Sequence, residues 1–397
     1  MTSPSMILHV GAPKCGSSAL QTALTRQPDV RSPTGLWLRY VSLRRVQDGY
    51  RPIYGSLVRR QGRSSAYGYA SWPNFGRHTD GAPLLAALRQ VLEEGQVGGW
   101  VPVVSCEGWI NHPQVFAAAL ADWGYPVVDL LGFLRPPVEW VNAAWWQWGI
   151  WSFPTVDVWL DRQTLPYRFA DDLEQWSQIP NVRLQVRRSR PDAVQTFSDL
   201  YAIDLGPRPS VNMSSPACLI GFLRRNRQFR PTPHDAQAEF IFQRWCPPVS
   251  GNRLWALSAE HVRRLRPTSR RCQDVLARIL PQEARADLAA DPNWYGEQGY
   301  HDAIRSGVSF LRAPEDLPRL YAALAAGIAA ASGRPARDLP APLKEADPVE
   351  QWDPVLADLL DRLTKADIDA RQGGLVDSVI GIGHNLMRGG HSAKNSQ

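Results

Sequence analysis

Residues 5–24 read SMILHVGAPKCGSSALQTAL. Met6–Val10 is a near-continuous apolar run that stops at Gly11, the pattern of a short strand buried on both faces in a parallel sheet. Gly11–Ser18 is a loop, rich in residues that turn. Leu20, Ala23 and Leu24 then fall at helical spacing, so a helix follows. The order strand, glycine loop, helix recurs in nucleotide-binding α/β folds. Glycines let backbone N–H groups turn toward an anion, and the start of a helix adds partial positive charge. Ser17 and Ser18 are placed to cap that helix or to donate to phosphate oxygens.

A Walker phosphate loop reads G-x4-G-K-[ST]. Gly11 and Gly16 keep the glycine spacing, but Ser17 stands where the lysine belongs and Lys14 lies inside the loop. The chain has 44 Lys and Arg, of which only Lys14, Lys344, Lys365 and Lys394 are lysines. In so arginine-rich a background, a lone lysine before residue 344 marks a position that suits a compact charge on a flexible stem better than a planar fork. From spacing alone, a plain strand–turn–helix corner with a serine cap stays open.

Further along, Trp100–Ser105, Val127–Leu134 and Val182–Val186 read as strands. Segments 83–94, 113–123, 137–149, 169–177 and 191–201 read as helices. Alternating strands and helices predict a parallel sheet with covered faces, whose ligands collect at the carboxyl ends of the strands. Gly11, Glu107 and Arg135 all lie just past strand ends. Residues 28–82 show little periodicity and read as substrate-side loops and short helices. Residues 216–330 read as mainly helical, and 331–397 as a Pro-rich linker, a short helix over 354–369 and a mobile Gly-rich tail. The expected domains are therefore 1–330 and 331–397.

Composition narrows the function classes. The net charge of +6 is spread along the chain, without the basic stripe of a nucleic-acid reader. No apolar run approaches the ~18–20 residues of a membrane helix. The N-terminus lacks the basic start of a secretory signal. The five cysteines form no metal-ligand or disulfide spacing. A cytoplasmic protein with no membrane span, no nucleic-acid partner and no metal is the expectation; oligomeric state is not legible.

The segment LHVGAPKCGSSALQ resembles the 5′-phosphosulfate loop of sulfotransferases that use PAPS, whose usual form is close to G-x-P-K-[TCSG]-G-[TS]-[TS]-x-L. Gly11, Pro13, Lys14, Cys15, Gly16, Ser17 and Ser18 fall on its positions. The resemblance implies that Lys14 steadies the charge on the departing phosphate, that the other loop residues hold the 5′-phosphosulfate, and that no metal is needed. LLGFLRPPVEWVNAAWWQWG, residues 130–149, is similar to the family's 3′-phosphate segment. Arg135 falls on its arginine and Pro137 on its proline. The usual serine, eight residues after the arginine, is Ala143 here, with Asn142 beside it as a weaker candidate. The fold so implied is α/β: a parallel sheet flanked by helices, a P-loop NTPase-like core with a helical C-terminal half. The downstream order of elements resembles bacterial members.

Transfer to a hydroxyl benefits from a base near the incoming oxygen. Glu107, just past the strand at 100–105, occupies the place where cytosolic sulfotransferases carry their basic histidine. His112, His78 and Asp48 are weaker candidates. Five of the 16 tryptophans lie between Trp140 and Trp151. Val138, Val141, Trp145 and Trp148 form a core stripe, leaving Trp140, Trp146 and Trp151 to stack on a sugar or aromatic acceptor. The resulting expectation is sulfuryl transfer from PAPS to a small-molecule or glycan acceptor. A small-molecule kinase and a non-catalytic nucleotide-binding protein are the alternatives.

Overall fold

The apolar runs do become strands, and the buried ones gather at the centre of one sheet. The computed structural model describes residues 3–76, 81–162, 167–206, 215–249, 253–294, 300–311 and 313–389, with side chains described to residue 372. The strands are β1 (Met6–His9), β2 (Asp29–Arg31), β3 (Trp37–Tyr40), β4 (Ser42–Val46), β5 (Gly49–Ile53), β6 (Val101–Ser105), β7 (Val128–Leu134) and β8 (Val182–Arg188). Six of them form a sheet in the order β2-β3-β6-β1-β7-β8. All neighbours are parallel except the edge strand β2, which runs antiparallel to β3. Leu8 at the centre pairs with Val104 on one side and Leu130 on the other. Every residue of β1, β6 and β7 is buried, as a sheet covered on both faces requires.

The chain divides into two units. The first comprises Met1–Arg59, Tyr69–Asn212 and Leu254–Ser309 and contains the sheet. Its helices are α1 (Ser17–Arg26), α2 (Ser56–Ser64, whose last turn passes into the second unit), α3 (Gly81–Gly98), α4 (Pro113–Asp122), α5 (Pro137–Ala144), α6 (Ile150–Ser152), α7 (Val156–Arg162), α8 (Phe169–Ser177) and α9 (Ala193–Tyr201). A π-helical turn, Trp145–Gly149, joins α5 to α6.

The second unit, Arg60–Gly68, Met213–Arg253 and Phe310–Gln397, holds helices only among its described residues. They are α10 (Ala217–Arg225) and α11 (Gln237–Trp245), then α15 (Leu317–Ser332) and α16 (Val349–Gly389). The chain between them returns to the first unit through α12 (Ala259–Ile279), α13 (Gln282–Ala289) and α14 (His301–Ser306). On α16, Trp352, Leu356, Leu359, Leu360 and Leu363 are fully buried at helical spacing. Asp367, equally buried, accepts from Arg244 at 2.5 Å, from the Trp245 indole at 2.8 Å and from Arg371 at 2.8 Å.

Several expectations need correction. Residues 28–82 contain four strands, two of them in the main sheet. These strands are three to five residues long and carry exposed or half-buried arginines, which hid their alternation. Gln47 and Asp48 form the two-residue turn of the β4–β5 hairpin, in which Val46 pairs with Gly49. The boundary expected at 330 falls inside α15. The helix expected over 354–369 runs from Val349 to Gly389, and so takes in the tail expected to be mobile up to that point. No described helix is long and apolar enough to cross a membrane.

The central strands hold the first unit together. Leu130→Ala, at a residue with no exposed surface, is expected to lower stability by about 2–5 kcal/mol. Val97→Ala, at a residue 92% exposed, should stay within about 0.5 kcal/mol. Urea unfolding of the two variants checks this.

Candidate functional site

Three strand ends converge where the sheet's connections part. The chain leaves β1 toward the β3–β6 side and leaves β7 toward β8. Oppositely directed connections leave a crevice past the carboxyl ends of the two strands, and the loop at 11–16 fills that position.

The loop turns back on itself sharply. Gly11, Lys14 and Gly16 all have positive φ, at 40°, 64° and 96°. A Cβ on Gly11 would lie 2.7 Å from the Ser17 hydroxyl, and one on Gly16 would lie 2.9 Å from the Ala193 methyl. Only glycine fits either place. Lys14 is a left-handed residue with a side chain, a conformation held by its surroundings. The Trp140 indole donates to the Pro13 carbonyl at 2.8 Å, and Lys14 Nζ donates to Gln147 Oε1 at 2.9 Å. On the other side, the N–H groups of Cys106, Gly108 and Ile110 donate to the carbonyls of His9, Gly11 and Val10.

Gly16 is the N-cap of α1, and no side chain caps that helix. Ser17 and Ser18 therefore form its first turn and are not its caps. Among the described residues, the N–H groups of Gly16, Ser17 and Ser18 have no acceptor. They are free donors at a helix start, the arrangement that binds a phosphate or sulfate.

Beneath the loop lies a polar belt that the sequence reading missed. His9 Nδ1 meets the Ser105 hydroxyl at 2.7 Å, and Gln21 Nε2 donates to the same hydroxyl at 2.9 Å. All three residues are buried. Burial pushes His9 down to about 3, so it is neutral. The belt ties β1, β6 and α1 together under the crevice.

Glu107 follows Cys106 at the end of β6 and stays partly exposed. Its carboxyl is raised above the ordinary range by burial, and pulled back by the Lys14 ammonium and the facing Ser17 hydroxyl. Lys14 and Glu107 thus share one site, with opposite charges in a poorly solvated place. Arg135 is the first residue past β7. Tyr167 donates to its carbonyl at 3.0 Å, its Nε is buried without a partner, and it forms no ion pair among the described residues.

Other candidates fare differently. Asn142 is 1% exposed and engaged within the fold at both ends of its amide: it donates to the Leu254 carbonyl at 2.9 Å and accepts from the Ala256 N–H at 2.9 Å. It clamps the 254–256 segment from a buried position, a role in the fold that the expectation of a ligand contact did not include. Cys15 is buried, its thiol pushed up to about 11 chiefly by burial, and Cys106 is raised in the same way; neither suits a nucleophile. His112 is half-buried with its pKa lowered by burial, and Phe75 packs edge-on to it. Asp48 is exposed at the β4–β5 hairpin turn. His78 lies outside the described residues. Trp140, Trp146 and Trp151 are buried, so they are no platform for an acceptor. Trp140 packs against Tyr167 and Phe169 and steadies the loop instead.

Two outcomes test this geometry. Asn142→Ala leaves a buried carbonyl and a buried N–H unpaired, and should cost about 2–4 kcal/mol in urea unfolding. For Glu107, a carboxyl raised in the folded state favours the protonated form, so its contribution is present at low pH and is lost as pH rises through the folded pKa. Glu107→Gln should therefore gain stability relative to wild type between pH 4 and pH 7.5. Movement in the opposite direction would show a net stabilised carboxylate.

No protein-family model, no curated protein and no solved structure matches this chain.

Proposed function

We propose that the chain is a sulfotransferase with a P-loop-like nucleotide core, moving a sulfuryl group from PAPS to a hydroxyl or amine and releasing PAP. One observation carries the reading: Lys14 sits in a loop of positive φ next to the free N–H groups of Gly16, Ser17 and Ser18, and its ammonium acts on Glu107. A loop of that form suits an anion, and a lysine within it suits charge developing on a leaving phosphate.

In the reaction, the acceptor oxygen forms a bond to sulfur as the bond from sulfur to the bridging oxygen breaks. The electron pair of that bond passes to the 5′-phosphate of PAP, where Lys14 and the N–H groups of Gly16, Ser17 and Ser18 balance it. The acceptor proton passes to Glu107. Its raised pKa makes it a better proton acceptor than an ordinary carboxylate, provided it is ionised. Gln147 holds the Lys14 ammonium in place through its amide oxygen. Arg135, at the end of the neighbouring strand, suits the second phosphate, since a guanidinium pairs with phosphate through two bonds. The acceptor, a small molecule or a glycan, binds on the Glu107 side.

Calorimetry with PAP, ATP and GTP, each with and without magnesium, tests the assignment. Tight binding of PAP without magnesium is expected. Binding of ATP alone would favour a kinase, and binding of none would remove the nucleotide site. Lys14→Ala should keep the fold and lose about 10²–10³-fold in transfer rate, the scale of removing one charge-stabilising donor. Undiminished turnover would take Lys14 out of the mechanism.

A further inference from the structure

Ser189 has no place in the sequence motifs, yet the sheet register sets it beside Arg135. β7 and β8 pair in parallel with Leu134 opposite Arg188, and the Ser189 N–H extends the ladder to the Leu134 carbonyl at 2.7 Å. Arg135 and Ser189 are thus neighbours, each the first residue past its strand. The anion loop lies across both. The Cys15 thiol meets the Arg135 backbone, and the Ser189 carbonyl is 4.0 Å from the point where a Cβ on Gly16 would stand.

Each neighbour holds a buried polar atom without a partner: Nε of Arg135 and the hydroxyl of Ser189, a residue only 8% exposed. Buried polar groups are nearly always paired, and two unpaired ones on adjacent strand ends call for an explanation. Among the described residues the surroundings do not supply one. Arg190, next in the chain, is held by Glu139 at 2.8 Å, and Glu139 also accepts from Asn293 at 2.8 Å. Asp192 is occupied in capping α9. An anionic group whose oxygens accept from both atoms would complete them. The helix after Arg135 offers no substitute, because Ala143 carries no donor and Asn142 is committed to the 254–256 backbone.

We infer that Ser189 is a ligand-binding residue: its hydroxyl, together with the Arg135 guanidinium, holds the phosphate of the nucleotide that is remote from Lys14. The inference rests on the sulfotransferase reading and names the residue that takes the part left empty at Ala143. A hydroxyl donating to a phosphate makes a charge-assisted bond, which distinguishes a nucleotide bearing that phosphate from one without it.

The test is calorimetry with PAP and with AMP, which lacks the 3′-phosphate. Wild type, Ser189→Ala and Ser189→Thr are compared, with circular dichroism to verify folding. Ser189→Ala is expected to weaken PAP about tenfold and leave AMP unchanged, while Ser189→Thr keeps the wild-type preference; a lost hydrogen bond to a charged group is of this size. Ser189→Cys, nearly the same volume but a weak donor, reads the same loss should the alanine variant fail to fold. Wild-type affinity for PAP in the alanine or cysteine variant overturns the inference, as does equal weakening of both nucleotides. Failure of the wild type itself to bind PAP overturns the sulfotransferase reading, and that result is read before any variant is made.

Discussion

The structure around the crevice depends on one backbone reversal. Between β1 and α1 the chain takes positive φ at Gly11, Lys14 and Gly16. The two glycines adopt it without strain, whereas at Lys14 it costs conformational energy, because a side chain disfavours that region. The reversal is held from both sides. N–H groups following β6 bind its first half, and Trp140 and Gln147, from α5 and the π-helical turn, bind its second. The His9–Ser105–Gln21 belt supports it from below. A loop held so firmly is set before any ligand arrives, and pre-organisation of that kind is what makes backbone dipoles effective on an anion.

The charges follow from the same scaffold. Lys14, Glu107 and Arg135 come from three different strand ends that the parallel sheet sets side by side. Burial raises the Glu107 carboxyl, and the Lys14 ammonium limits the rise. Such opposition is common where proton transfer occurs, because a group must change charge without much reorganisation around it. The cysteines beside them are kept inert by the same burial.

The π-helical turn at Trp145–Gly149 illustrates how helix geometry sets a contact. A stripe drawn at the α-helical period placed Trp140, Trp146 and Trp151 away from the core. The wider turn changes the rotation after Ala144, and Trp146 and Trp151 end up buried, while Trp140, before the turn, is covered by Tyr167 and Phe169. Gln147, which no motif singled out, is brought to Lys14. Asn142 was misread for a related reason: its neighbours in space, Leu254 and Ala256, are more than a hundred residues away in the chain.

What the sequence by itself determined is the local part. The buried strands β1, β6 and β7, the alternating edge strand β8, the loop with its displaced lysine, and the position of Arg135 after a strand all follow from short-range pattern and turn chemistry. The short strands between 28 and 82 escaped because three to five residues with exposed or half-buried arginines show no clear period. Only the tertiary structure decided which strand ends meet, that Asn142 serves the backbone, that Ser189 stands beside Arg135, and that the second unit gathers three separate stretches of chain. The physical reason is that periodicity records which face of an element is buried. Register and crossover, which choose its partners, depend on contacts between residues far apart in the chain.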